Sequence, residues 1–370
     1  MSAGSRAWHA PAEAVLLPAG ALGAALLVFG LFVWFGGGSP VEAWVLLFRG
    51  AFGDAFSWQN SLQRAAPLML TALAVALPAR AGLTVIGGEG ALVLGALGCA
   101  GLPYLAPGLS GTAGTVAVLA AGALLGAGWV AAAGALRQWR GVNETISSLL
   151  LSYIAIALFK HFVEGPMRDP ASLNKPSTRP LAESLRIGGI STDSLLGDVH
   201  WGLAIGLVLC VAAGLWLSFT ASGFALRVVG GNARTARLVG LPTDRLIIGA
   251  CALGGAAAGL AGAVEVAAVH NAANASLIVG LGYTGILVSF VARHNPWAIQ
   301  PVALLFGGFA AAGSLLQRRL GLPDASVLVL QGFAFAFILA AESLRGRLFQ
   351  LPMPGLVKLK LVAVQGRAVT

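Results

Sequence analysis

Charge is what this chain has least of. Of its 370 residues, 10% are Asp, Glu, Lys or Arg and 57% are hydrophobic, whereas soluble domains carry about a quarter charged residues. That balance argues against a soluble enzyme. Cysteine is also scarce: Cys99, Cys210 and Cys251 each lie inside an apolar run, at spacings unlike a metal motif, and read as packing residues. The five histidines, His9, His161, His200, His270 and His294, fall in separate segments with no ligand spacing. No metal, cofactor or nucleophilic chemistry is indicated, and an enzymatic role is not expected. No G-x-x-x-x-G-K-[ST] loop occurs, so ATP-driven work needs another subunit. The net charge of +9 is spread among apolar runs rather than gathered on one face, so no nucleic-acid partner is expected.

Apolar runs are what the chain has in abundance. Crossing a bilayer takes about 20 apolar residues. Spans are expected near 14–36, 62–80, 84–103, 113–136, 144–163, 201–220, 246–268, 277–292, 297–316 and 325–343. The first run has only Arg6 ahead of it and is too long for a signal-peptide core, so it reads as a span. The 51 glycines suit membrane helices that pack closely. With the N-terminus in the cytoplasm, Arg80, Arg137, Arg140, Arg227, Arg234, Arg237, Arg245, Arg293 and a basic tail fall inside, as the positive-inside rule asks. Arg318 and Arg319 fall on the wrong side of that rule.

The expected fold is therefore an all-α polytopic membrane protein of about ten transmembrane helices, in two inverted halves of five, with both termini cytoplasmic. Residues 1–343 form one transmembrane domain. Residues 164–200 make a long external loop, Pro-rich and extended at its start and too short for its own core. Residues 223–245 make a cytoplasmic loop. Residues 344–370 are a cytoplasmic tail whose VKLKLV alternation suits a short strand or a disordered end.

Polar residues inside the spans mark candidate sites. GGEGALVLGA (Gly87–Ala96) and LGYTGILVSF (Leu281–Phe290) are both glycine-interrupted and polar at the start, and each belongs to the third span of its half. Paired broken helices of this kind mark a translocation path. Glu89 is either a pathway residue or a carboxylate capping a broken helix; Tyr283 and Thr284 open the second broken span. Asn143 reads as the N-cap of span five, with Glu144 in its first turn. Ser147, Ser148, Ser152 and Tyr153 follow, with hydroxyls able to bind a polar solute or to join helices. Glu265, His270, Asn271 and Asn274 suit loop solvation or a cavity mouth, and Gln331 is a weaker pathway candidate.

GFALRVVGGNARTARLVGLPTDRL (Gly223–Leu246) is the most basic stretch of the interior. Positive-inside topology explains its arginines. A Gly230–Gly231 break, a short helix capped by Asn232, a small side made by Ala233, Ala236 and Gly240, and a stop at Pro242 suit a cytoplasmic docking helix that presents Arg234 and Arg237 to a partner.

These residues carry a resemblance. The stretch resembles the coupling segment R-A-V-G-x-N-x-x-A-A-x-x-x-G-I of ABC importer permeases for branched-chain amino acids, ribose and nucleosides. Arg227, Val229, Gly230, Asn232, Ala236 and Gly240 match it, while Val228, Thr235 and Leu241 are mild departures. RAGLTVIGGEGALVLGA (Arg80–Ala96) resembles R-x-G-L-F-N-I-G-x-E-G-Q, and NETISSLLLSYIA resembles N-E-V-I-x-x-x-M-L-N-Y-I-A. GYTGILVSFVARHNPWAI resembles G-x-x-G-I-A-V-A-L-L-G-R-x-x-P. The four motifs stand in the family's order over most of residues 60–300 and look most like the nucleoside branch, which works with a basic-membrane-protein-like lipoprotein.

The resemblance implies a multi-pass permease of the bacterial inner membrane that imports nucleosides or a related purine or sugar solute. Its expected partners are a separate ABC ATPase with two fused nucleotide-binding halves, a second, non-identical permease chain and an external substrate-binding lipoprotein. It also implies that Arg227, Gly230, Gly231, Asn232, Arg234, Ala236, Arg237 and Gly240 couple the chain to the ATPase. Three family amides are absent, replaced by Val85, Ala91 and Ser152, so either the sister chain supplies those contacts or the solute differs. Other solutes such as a simple sugar, amino acid or vitamin, an ion-coupled carrier using Glu89 and Glu265, and a scaffold without a solute path are the competing readings.

Overall fold

The computed structural model describes residues 3–190, 197, 199–323 and 325–343, with side chains from residue 16 onward. The expected tail, 344–370, lies outside the described residues. In chain order the helices are α1 (Ala3–Phe35), α2 (Pro40–Phe52), α3 (Ala55–Arg80), α4 (Gly88–Leu105), α5 (Gly111–Arg140) and α6 (Glu144–Glu164). The second half contributes α7 (Gly202–Phe219), α8 (Ala221–Gly231), α9 (Ala233–Leu238), α10 (Thr243–Val264), α11 (Leu281–Val291), α12 (Pro296–Leu320) and α13 (Ser326–Ser343). A π-helical turn, Glu265–His270, extends α10. Nine of these described helices are long and apolar enough to cross a membrane, and Ala275–Val291 is a shorter apolar segment. The fold is all-α and polytopic.

Local chemistry sets the helix starts. Asp54 accepts the Ser57 N–H at 2.7 Å to open α3. Asn143 accepts the N–H groups of Thr145 and Ile146 at 2.9 and 3.1 Å to open α6, as its N-cap reading requires. Gly141 and Gly321 take left-handed φ values of +68° and +65° beyond the ends of α5 and α12.

The two halves pack with matching partners. α10 lies against α5 and α4, while α3, its counterpart, lies against α12 and α11. Likewise α6 packs on α4 and α13 on α11, with α3 and α10 meeting at the centre. These exchanges are what an inverted repeat of five spans produces. The first span of each half departs from it: α1 packs on α13 and α2, and α7 on α3, α8 and α12.

Small residues carry the central contacts. A Cβ on Gly259 would collide with the Gly122 carbonyl and stand 3.0 Å from the Gly126 Cα, and Gly95 is similarly closed by the Gly259 backbone. Backbones this close gain dispersion contacts unavailable to larger residues. Gly259→Leu is therefore expected to cost about 3 kcal/mol or more by overpacking. Its thermal unfolding in detergent should shift sharply downward, while Gly249→Leu, at a site open to its surroundings, should leave it within about 0.5 kcal/mol.

Candidate functional site at the junction of two broken helices

Residues 81–87 leave α3 without helical structure and deliver the chain to the start of α4 at Gly88. In the other half, residues 271–280 return from the end of α10 to the start of α11 at Leu281. The two helix starts meet. Gly88 and Gly282 approach so closely that a Cβ on Gly282 would overlap the Glu89 backbone nitrogen. Gly280, with φ of +82°, makes the turn into α11.

Glu89 joins the two starts. Its carboxylate accepts the Gly280 N–H at 3.0 Å and the Gly282 N–H at 2.6 Å, and the residue is fully buried. A carboxylate at a helix N-terminus is favoured by the dipole, and here it belongs to one half while the helix it caps belongs to the other. Burial of this charge is tolerated because two donors face it. Of the two readings open from sequence, the capping one is what the geometry displays.

α6 secures the other lead-in. Ser148 Oγ accepts the Ile86 N–H at 3.0 Å and Ser152 Oγ accepts the Gly90 N–H at 3.3 Å. Thr145 Oγ1 donates to the Thr84 carbonyl at 2.8 Å, and Ser147 turns back to the Glu144 carbonyl at 3.3 Å. Ser147, Ser148 and Ser152 are buried and hold backbone. Tyr153 is 59% exposed and, like Ile146, Leu150 and Ile154, lies outside that packing. Tyr283 lies within electrostatic reach of both Glu89 and Tyr153, and Thr284 Oγ1 donates to Gln331 at 3.1 Å. The structure thus gathers Glu89, Ser148, Ser152, Tyr153, Tyr283, Thr284 and Gln331 about one junction. Asn143 stays at the start of α6, occupied as its cap. Val85 and Ala91, like Ser152, are buried in the packing of the junction, so the departures there alter its interior rather than an open face.

Glu265 and His270 lie 3.7 Å apart on the π-helical turn, and the Asn271 carbonyl accepts the Leu181 N–H at 2.7 Å. Ala273 accepts from Thr178 at 2.9 Å. This end of α10 therefore anchors the segment that follows α6.

At the opposite end of the bundle, α8 and α9 carry the basic stretch. Gly230–Gly231 does not break the helix, as the sequence suggested; α8 runs through both and the interruption falls at Asn232, whose side chain accepts the Arg234 and Thr235 N–H groups at 3.0 Å. Gly230 serves close packing instead, since a Cβ there would overlap the Arg80 carbonyl, while Gly231 is open to its surroundings. Of the small side of α9, Ala236 turns inward and is fully buried against Leu226, Val229 and Ile247, while Ala233 is half-buried and Gly240 stays exposed. What α8 and α9 expose is Phe224, Leu238 and Val239, beside Arg234. Arg237 bonds Asp244 at 2.9 Å and Gln138 at 3.3 Å.

Arg80 extends this region to α11. Its Nε and Nη2 donate to the His294 carbonyl at 3.0 and 2.8 Å. Arg293 and His294 both hold positive φ, +55° and +53°, a conformation uncommon outside glycine. Burial, and then the charge of Arg80, push the His294 imidazole down to about 4. Between pH 6.5 and about 4 the unfolded chain takes up a proton that the folded chain refuses, so stability is full above 6.5 and falls as pH drops through this window. The expected loss is about 3 kcal/mol across it. Thermal unfolding at pH 7.5 and 5 should show that slope, and His294→Gln should flatten it.

Sequence reasoning missed α2. Its signal was present: Ser39 as N-cap, Pro40 in the first turn and Glu42 behind it, a recognisable helix start in a stretch too polar to read as a span.

The branched-chain amino acid transport system / permease component family matches residues 57–339. Among curated relatives, the glucose ABC transporter permease protein TsgB13 of Haloferax volcanii is 33% identical over 312 residues, covering 82% of this chain and 81% of the relative. The guanosine ABC transporter permease protein NupP of Bacillus subtilis is 25% identical, covering 90% and 94%. The nucleoside ABC transporter permease protein NupB of Lactococcus lactis is 26% identical, covering 88% and 90%.

Proposed function

The chain belongs to the family of branched-chain amino acid transport system permease components, and on that premise we propose that it carries nucleosides or a related purine or sugar solute into the cell. It is a permease subunit of an ATP-binding-cassette importer and a multi-pass membrane protein. That class works with an ATPase and a solute-binding protein. In the proposed assembly ATP is hydrolysed on a separate subunit with two fused nucleotide-binding halves. A second, non-identical permease chain completes the path, and an external lipoprotein delivers the solute. α8 and α9 face the cytoplasm and meet the ATPase, and residues 164–200 face outward.

The observation that carries the solute reading is similarity to guanosine and nucleoside permeases along nearly the whole chain. The junction supports it. Tyr153, exposed beside Tyr283, offers an aromatic face for a nucleobase and a hydroxyl for a ribose. A simple sugar is the second reading, favoured by the higher identity to a glucose permease. Uptake of labelled adenosine by cells carrying the complete importer separates them. The nucleoside reading expects unlabelled uridine or guanosine to compete and Tyr153→Ala to slow uptake about tenfold, as loss of one stacked base costs. Competition by glucose alone would overturn it in favour of the sugar.

A further inference from the structure

Two arginines from separate helices share one small cavity at the end of the bundle that carries α8 and α9. Arg80 is the last residue of α3 and Arg227 stands on α8. Both line a space of about 70 Å³ between these helices, the end of α7 and the start of α12, where Leu217, Ser218, Asn295 and Trp297 also form the wall. Arg227 is within electrostatic reach of Arg80, so two like charges face the same space.

The chain leaves both without a counter-charge. Among the described residues, neither arginine has a carboxylate within ion-pair distance. The carboxylates nearest this end are engaged elsewhere: Glu144 with Arg137 at 3.3 Å, Asp244 with Arg237 at 2.9 Å and Glu342 with Arg293 at 3.9 Å. Arg80 directs Nε and Nη2 to the His294 carbonyl, which leaves other donors of its guanidinium free. Arg227 has no hydrogen-bonded partner among the described residues. Positive-inside topology accounts for arginines on this side of the membrane. It does not account for two of them converging on one cavity while their neighbours pair with acids.

Size and depth point to the ligand. A space of about 70 Å³ is far below the roughly 300 Å³ at which small-molecule pockets begin, so it admits one compact anionic group and no nucleoside. α3 ends at Arg80, α7 ends at Phe219 and α12 begins at Pro296, which sets the cavity at the level where three spans leave the membrane. Phe219, beside Ser218, and Trp297 are exposed at this level, as aromatic side chains of the headgroup region are. Basic pockets between spans on the cytoplasmic side suit anionic headgroups. We infer that Arg80 and Arg227, with the Ser218 hydroxyl, bind the phosphate of an anionic phospholipid. The choice of the inner leaflet rests on the cytoplasmic placement of α8 and α9 above; the site itself does not. The bound phosphate sets a negative charge between the two guanidiniums and ties the end of α3 to α8, the helix that leads into α9.

The test titrates phosphatidylglycerol, with net-neutral phosphatidylcholine for comparison, into the full-length chain in detergent and reads bound lipid by native mass spectrometry. Wild type should hold phosphatidylglycerol roughly 30-fold more tightly, the effect of two arginines near one headgroup. Arg227→Gln should lower that preference about fivefold and Arg80→Gln/Arg227→Gln should erase it, whereas Arg227→Lys should stay within about twofold of wild type. Thermal unfolding of Arg227→Gln without lipid should match wild type, because Arg227 holds nothing within the chain, so its loss of lipid is not a loss of fold. Equal binding of the two lipids by wild type, or an undiminished preference in both glutamine variants, would overturn the inference. Inorganic phosphate that displaces phosphatidylglycerol and raises the unfolding midpoint as much without lipid would assign the cavity to free phosphate and overturn the lipid source. Binding is read without ATP, ATPase or solute and in either orientation of the chain, so its outcome is separate from that of the importer reading.

Discussion

Glu89→Ala is expected to unseat α11 and abolish uptake. The carboxylate is fully buried and holds the Gly280 and Gly282 N–H groups at 3.0 and 2.6 Å. Its removal strands two donors at a helix start, the Gly282 N–H buried and the Gly280 N–H half-buried. Charge-assisted bonds of this kind contribute about 1.5–3 kcal/mol each, so the variant should lose about 3–5 kcal/mol, a large share of the 5–15 kcal/mol by which proteins are folded. Glu89→Gln keeps the volume and one acceptor but sets an NH2 against the second donor, and should fall between. Thermal unfolding of the purified permease reads the structural loss, and transport in cells reads the functional one. An unchanged unfolding midpoint in Glu89→Ala would sink the account of the junction. If Glu89→Gln unfolds like wild type yet transports nothing, the carboxylate has a part in transport beyond the cap.

The second large effect concerns the exposed face of α8 and α9. Leu238 is 82% exposed and Phe224 61% exposed, which is costly for a helix pair with no partner and expected of one that seats in a cleft. Arg234→Glu combined with Leu238→Asp should cut ATP-driven uptake at least 100-fold, since central interface residues each carry about 2 kcal/mol or more. Membrane insertion should be unaffected, because neither side chain packs inside the bundle. Co-purification with the ATPase subunit should be lost in parallel. Arg237→Glu tests a different point: that side chain already bonds Asp244 and Gln138, so its reversal should loosen the start of α10 as well as the partner contact. A double variant at Arg234 and Leu238 that retained both uptake and the ATPase would remove these helices from the coupling role.

The sequence made the fold legible wherever apolar length or a local cap decided it. The spans and the Asn143 and Asn232 caps were readable because each follows from composition within a short window. The junction was half legible. Glycine and glutamate at the start of span three signalled a broken helix, but only the fold shows that Glu89 caps α11, 191 and 193 residues away along the chain. The serines of α6 were ambiguous for the same reason, since a hydroxyl's partner lies on another helix. The direction of Ala236 was misread: it could face a partner or its own core, and helical periodicity does not distinguish two apolar environments.

The central claim is ATP-driven import through this chain, and reconstituted uptake tests it most directly. The complete importer in proteoliposomes, supplied with solute-binding protein and labelled adenosine, should accumulate adenosine with ATP on the coupling side. Ionophores that collapse proton and sodium gradients should leave that uptake unchanged, and omission of the ATPase subunit should stop it. Uptake that persists without ATP and disappears with the gradients would contradict the account and identify an ion-coupled carrier instead.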